Sequence, residues 1–268
     1  MFEDILKPIE QDMALYRDLM EKELAYIIKR TGESTLFEQW MVEQWMIEQW
    51  LIEKALRPAL VILSSRIYGG NQDKTTVLAV VMQFLYIADT IHSCVTDDSR
   101  GFAAKVDRLP IEDRLLILSG DYIYSRAAVI MLESSIKGML QPMADIVCQM
   151  QEGRVERSNL SGYNPEAKVM HNIIRKETGE LFAGCCKLGA SLAGATKEEQ
   201  ENMSAFGRNL GTAYGLLKAA APIDQVAFYA DKGQKALLST PAKPEKAILE
   251  QLLQLITCGG MSLQRLVG

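Results

Sequence analysis

Side chains able to do chemistry gather in three short stretches. Residues 91–101 read I-H-S-C-V-T-D-D-S-R-G and hold His92, Ser93, Cys94, Asp97, Asp98 and Arg100. Residues 53–61, E-K-A-L-R-P-A-L-V, carry Lys54 and Arg57, and residues 216–222, L-L-K-A-A-A-P, set Lys218 among apolar neighbours. A guanidinium grips phosphate or carboxylate bidentately and an ammonium acts as a point charge. Lys54 and Arg57 therefore read equally well as an anion site and as ordinary charges on a solvated helix end. Asp97 and Asp98 could ligate a hard cation or simply cap or flank a helix end. His92 reads as a satisfied core histidine. The five cysteines (Cys94, Cys148, Cys185, Cys186 and Cys258) lack zinc-ligand spacing and are odd in number. Buried thiols in a reduced, cytoplasmic protein are expected.

Helices must position these residues. Apolar residues recur at helical spacing over about 4–30, 36–67, 73–95, 110–136, 139–157, 166–195, 198–221 and 245–257, and strand alternation is almost absent. Turn chemistry marks the breaks, at Gly69-Gly70-Asn71, at Ser161 to Pro165, and at Ser239-Thr240-Pro241 with Pro244. No linker is long or compositionally distinct, so residues 1–268 are expected to form a single domain. The segment T-V-L-A-V-V-M-Q-F-L-Y-I-A-D-T-I-H-S-C-V, residues 76–95, is apolar nearly all round and predicts a central helix packed on every side. The expected architecture is a large all-α bundle of antiparallel neighbours.

With 48% hydrophobic and 24% charged residues, the chain can build a sizeable core. A net charge of −5 argues against nucleic-acid binding, which calls for a basic face. No apolar run looks long enough to span a bilayer, so membrane contact is expected to be peripheral at most. The N-terminus, M-F-E-D-I-L-K-P-I-E-Q-D-M, is too acidic for a secretory signal. Residues 37–54 repeat E-Q-W plus two apolar residues, and hold all three tryptophans, Trp40, Trp45 and Trp50. A five-residue step turns a helical side chain by about 140°, so the repeat makes no clean stripe. It reads as a short tandem duplication or as an exposed Trp/Met/Ile surface for a partner or a membrane interface.

The stretch at 53–61 resembles the G-G-K-R-x-R-P-x-L-V signature of trans-isoprenyl (polyprenyl) diphosphate synthases. Further resemblances follow in order. Residues 91–101 are similar to H-D-D-V-x-D-D-S…R-R-G, and L-S-G-D-Y at 118–122 to A-G-D-x-L. T-G-E-L-F at 178–182 and L-G-A-S-L-A-G-A at 188–195 are similar to K-T-x-x-L and L-G-A, and F-G-R-N-L-G-T-A-Y-G at 206–215 to Y-G-x-x-L-G-x-A-F-Q. The resemblance spans roughly residues 1–235, with a C-terminal part shorter than the family norm. It implies an isoprenoid synthase-type bundle of antiparallel helices around a central cavity. It also implies prenyl transfer: an allylic diphosphate ionises and isopentenyl diphosphate attacks the cation. Two D-D-x-x-D clusters, each on one helix, would face one another and bind three Mg²⁺.

The chain departs from that pattern where metal would bind. In the first cluster Ser93 and Cys94 replace the leading aspartates and Asp97 alone remains; a second register pairs Asp97 with Asp98 but puts Gly101 third. In the second cluster Lys218 and Ala219 stand where the paired aspartates belong, with Pro222 at the third position. Hydroxyl, thiol and methyl groups do not replace carboxylates on Mg²⁺, and an ammonium repels it while being able to neutralise phosphate. Glu177 takes the place of the lysine of K-T, with Lys176 one step off; Gly215 replaces a glutamine, and Tyr86 a diphosphate-binding histidine. Lys54, Arg57 and Arg100 survive as diphosphate-binding candidates, and Asp97 and Asp98 as metal candidates. No bound cofactor is expected, although Mg²⁺ serves the family. The expected role is a non-catalytic subunit in a homo- or hetero-oligomer, modulating a D-D-x-x-D-bearing synthase. The alternatives are a pseudoenzyme binding an isoprenoid or other apolar ligand, and an active prenyltransferase with an atypical site. Ala88 would fit a deep cavity in an active relative.

Overall fold

A computed structural model of the protein describes residues 2–31, 51–95, 111–136, 138–160 and 165–258. Among these residues there are helices and no strands. In chain order they are α1 (Phe2–Leu6), α2 (Glu10–Thr31), α3 (Leu51–Ile67), α4 (Gln72–Ser93), α5 (Ile111–Glu133), α6 (Leu140–Asn159), α7 (Ala167–Ile174), α8 (Glu180–Leu192), α9 (Lys197–Lys218), α10 (Ile223–Ala236) and α11 (Pro244–Cys258). A 3₁₀ turn (Lys7–Ile9) joins α1 to α2, and a π-helical turn (Arg175–Gly179) joins α7 to α8. The E-Q-W repeat up to Trp50, and with it Asp97, Asp98 and Arg100, lies outside the described residues.

The segment apolar on all sides is indeed the central helix. Asn71 caps α4 by accepting a hydrogen bond from the Lys74 N–H at 3.0 Å, and residues on every face of the helix, from Leu78 to Ile91, are buried. One continuous apolar core runs from Leu6 to Ile256 and takes in every helix from α2 to α11. Pro58 inside α3 removes the N–H that would have bonded the Lys54 carbonyl. The buried Tyr16 of α2 donates its hydroxyl to that carbonyl instead, at 3.3 Å. Arg66 at the end of α3 bridges Asp12 (2.8 Å) on α2 and Glu245 (3.1 Å) on α11, drawing the two ends of the chain together.

The repeated glycines of F-G-R-N-L-G-T-A-Y-G are spacers. Gly207, Gly211 and Gly215 lie on the side of α9 that meets α8 and the π turn. A Cβ at 207 would collide with the Phe182 carbonyl, and one at 211 would lie 2.8 Å from the Phe182 side chain. Their absence of side chains lets α9 approach backbone to backbone. A Thr196–Glu199 capping box opens the helix. At its other end Ala221 N–H bonds Leu216 O (3.0 Å) and Ala220 N–H bonds Leu217 O (3.1 Å), a Schellman cap with Ala220 at φ 51°.

Three expectations need correction. Among the described residues two helices are long and apolar enough to cross a membrane, Gln72–Ser93 and the segment Asp113–Glu133; 78% and 28% of their apolar stretches are buried. The first is explained by its place in the core, and the second leaves an apolar face on α5 uncovered. A helix at Ile223–Ala236 follows the segment expected to end near 221, and the π turn interrupts the one expected over 166–195. Of the thiols, Cys185 and Cys186 are buried but Cys94 and Cys148 are exposed. Burial pushes the Cys186 thiol up to about 12, with Ser64 pulling the other way.

A left-handed φ strains alanine and suits glycine. Ala220→Gly is therefore expected to stabilise the protein by about 1 kcal/mol, read as a raised urea midpoint with an unchanged slope.

Candidate functional site

A cavity of about 440 Å³ opens where α4 and α9 end, between α3, α6 and the π turn. Each wall has a local reason. From α3 comes Arg57, only 2% exposed, its guanidinium 3.3 Å above the Tyr86 ring of α4 and 5.5 Å from the Phe182 ring of α8. Stacking on aromatic faces is how a desolvated guanidinium is accommodated in an apolar wall. This corrects the solvated-helix-end reading for Arg57. Lys54, one turn earlier, is half-buried, and burial lowers its ammonium pKa; it is not part of the cavity wall.

The last turns of α4 supply Asp89, Thr90, Ser93 and Cys94. Asp89 is 5% exposed on an otherwise apolar helix, and α6 neutralises it. Arg154 Nε and Nη2 donate to its two carboxylate oxygens, each at 2.5 Å, and Nη2 also reaches the Asp89 carbonyl at 3.1 Å. Gln151 adds a bond to the same carboxylate (3.2 Å) and one to the Tyr124 hydroxyl (3.1 Å). Burial, and then the Asp89 charge, push the Tyr124 phenol well above its ordinary value. Burial would lower the Arg154 pKa, but its bond to Asp89 and that charge carry it above the usual guanidinium value. Ser93 Oγ is turned back onto the Thr90 carbonyl at 2.6 Å.

The π turn adds a residue to the helical register and so re-aims side chains, as such turns do at functional sites. It delivers Glu177 and Thr178 to the cavity, while Lys176 pairs with Glu156 (2.7 Å) and Glu152 (3.0 Å) of α6. Glu177 is held by Arg157 of α6 through a bidentate pair at 2.8 and 2.6 Å. Lys218, the last helical residue of α9, lines the same cavity as Ser93 and Cys94.

The structure thus brings Ser93, Cys94, Arg57 and Lys218 to one cavity and leaves Ala219, Pro222 and Lys54 out of its wall. Ala219 is the C-cap of α9 and Pro222 the N-cap of α10, so the three positions of the second cluster straddle a chain reversal. They do not share a helical face. His92 is only partly buried, its ring nitrogen 3.3 Å from both the Ile117 carbonyl and Asp121 on α5. Sequence reasoning missed Asp89, Arg154 and Arg157. The available signal was Asp89 itself, a lone carboxylate in a helix that had to be buried.

These residues do not suit magnesium. A hard divalent ion needs several oxygen ligands, yet among the described residues both wall carboxylates, Asp89 and Glu177, are paired with arginines, and Lys218 adds an ammonium to the same wall. Among the described residues no group of three or more His, Cys, Asp or Glu side chains is placed to hold a metal ion.

An all-α bundle with a polar cavity at converging helix ends is the isoprenoid synthase-type fold. Residues 47–217 match the Polyprenyl synthetase family, and the chain belongs to it. It is 29% identical to the octaprenyl diphosphate synthase of Escherichia coli over 168 residues, 61% of this chain and 51% of the relative. It is 25% identical to heptaprenyl diphosphate synthase component 2 of Geobacillus stearothermophilus over 167 residues, 61% and 52% of the two chains. The chain therefore matches about half the length of these relatives. By fold it is similar to a polyprenyl synthase from Caulobacter crescentus complexed with calcium and isoprenyl diphosphate, with TM-score 0.79 and 21% identity over 96% of this chain and 98% of that one. A mint deletion mutant of heterotetrameric geranyl pyrophosphate synthase is similar at TM-score 0.65 and 15% identity, over 91% and 98%.

Arg154→Ala would strand the Asp89 carboxylate. A loss of about 3 kcal/mol is expected, at the low end for a broken buried pair because the arginine side chain is 31% exposed. Asp89→Asn should cost less, and the two denaturation midpoints check the order.

Proposed function

We propose that this chain, folded as one domain over residues 1–268, is a non-catalytic polyprenyl synthase-like subunit. In this reading it modulates a D-D-x-x-D-bearing partner of its own family in isoprenoid biosynthesis. The observation that carries the proposal is the end of α9. Lys218 is its last helical residue and the left-handed Ala220 turns the chain away. A second acidic cluster would need a continuing helix to project its carboxylates to one side.

A partner is supported by α5. Leu118 (64% exposed), Val129 (39%) and Leu132 (68%) lie on one side of this helix. Leu115, Tyr122 and Ser125 fall between them on the same alternating three- and four-residue spacing. That spacing makes a narrow seam of the kind that receives another helix. The words component 2 and heterotetrameric in the names of two relatives are consistent with an assembly of unlike chains.

Purified alone with Mg²⁺, isopentenyl diphosphate and an allylic diphosphate, the chain is expected to form no longer prenyl diphosphate. Co-expressed with a catalytic polyprenyl diphosphate synthase from the same source, it is expected to be retained with it on an affinity column. Leu118→Glu with Leu132→Glu should abolish that retention and leave the helical circular dichroism unchanged. Turnover by the chain alone, or retention indifferent to the two substitutions, would contradict the proposal.

A further inference from the structure

We propose that the E-Q-W segment, residues 37–50, docks on the uncovered apolar seam of α5 at its Leu115–Leu118 end and leaves Val129 and Leu132 for a partner. The neighbouring helix α2 points the chain there. Arg126 of α5 donates to Glu23 of α2 at 2.8 and 3.1 Å, and its guanidinium lies 4.4 Å from the Tyr26 ring. One turn later Arg30 donates to the Tyr26 hydroxyl at 3.4 Å and comes within electrostatic reach of the Tyr122 phenol. Residue numbers rise along α2 as they fall along α5, so the two helices are antiparallel. The chain that follows Thr31 therefore leaves α2 heading for Leu118, one turn beyond Tyr122. Leu118 is 64% exposed there, and Leu115 is partly exposed on the edge of the seam nearest α2.

Length permits the detour. The Lys54 carbonyl accepts the Tyr16 hydroxyl, which sets Lys54 about 22 Å back along α2 from Thr31. Residues 32–50 reach about 60 Å when extended, far more than the return to α3 requires. Composition points to an apolar corner. Each unit follows its tryptophan with two apolar residues, Met41-Val42 after Trp40 and Met46-Ile47 after Trp45. A five-residue step spreads such side chains around a helix, so one flat neighbour does not cover them. The end of α2, where Tyr26 is 39% exposed, and the seam of α5 together offer two walls. Exposed Lys29 and Arg30 at the end of α2 complement Glu38, Glu43 and Glu48 of the segment. Those glutamates, with the exposed Asp121 and Glu133 that flank the seam, oppose an anionic membrane surface.

All three tryptophans belong to the segment, so the intrinsic fluorescence of the full-length chain reports on it alone. Emission to the blue of free tryptophan and shielded from acrylamide is expected, at every protein concentration. Leu118→Glu should move the emission to the red and bring quenching toward that of free tryptophan. Its helical circular dichroism should be unchanged, because Leu118 is exposed. Leu132→Glu, at the partner end of the seam, should keep the parent emission and quenching. As a second measurement, Leu118→p-benzoylphenylalanine should photo-cross-link within one chain to a peptide that holds Trp40, Trp45 or Trp50. A cross-link between two chains, or a blue shift that grows with concentration, would assign the seam to a second copy. A blue shift that requires phosphatidylglycerol vesicles would assign the segment to a lipid surface. Either result overturns this inference, as do exposed tryptophans in the parent or emission indifferent to Leu118→Glu. Retention by a partner, which also reads Leu132, stands or falls separately.

Discussion

A carboxylate buried near the end of a helix has to be neutralised, and the polar cavity is organised around that requirement. Asp89 is buried near the end of the largely apolar central helix α4, and its charge is met by Arg154 through two hydrogen bonds at 2.5 Å. Breaking such a pair strands a charge at a cost of several kcal/mol, so α4 and α6 are bound to a single relative placement. That placement sets Arg157 against Glu177 and Lys176 against Glu152 and Glu156, which in turn holds the π turn to α6. Gly207 and Gly211 then let α9 close on α8, and its last residue, Lys218, joins the cavity wall.

The same arrangement leaves the two described carboxylates of the cavity wall paired with arginines. Carboxylates already paired with guanidinium groups have fewer lone pairs to offer a hard cation. An ammonium at the end of α9 complements the negative end of the helix dipole, and the Schellman turn that follows keeps later residues from lining up behind it. Each feature is a modest local preference. Together they are consistent with the reading proposed for this member of the family, in which the chain holds no magnesium of its own.

The bundle was legible in the sequence because its signals are long and redundant: an all-apolar stretch at 76–95, and glycines at every fourth position of α9 from 207 to 215. The π turn was not legible, since one inserted residue barely shifts the periodicity of a window as long as 166–195. Helix α10 was hidden by the break at Ala219 to Pro222, after which I-D-Q-V-A-F-Y-A-D-K carries a short amphipathic pattern. For the site, the absence of acids at 93, 94, 218 and 219 could be read directly. The compensating charges could not, because Arg154 and Arg157 look like any charged helix face until α6 is set beside α4. Arg57 was undecided for the same reason: whether a guanidinium is solvated or stacked on Tyr86 depends on a helix that is distant in the sequence.

Whether this chain holds a divalent metal ion of its own can be measured with Mn²⁺ in place of Mg²⁺. Titrating the purified chain into Mn²⁺ and following the free-ion signal by electron paramagnetic resonance reports bound metal directly. The account predicts that the free Mn²⁺ signal persists undiminished at protein concentrations well above the metal. A stoichiometric loss of that signal, reversed by added Mg²⁺, would contradict it.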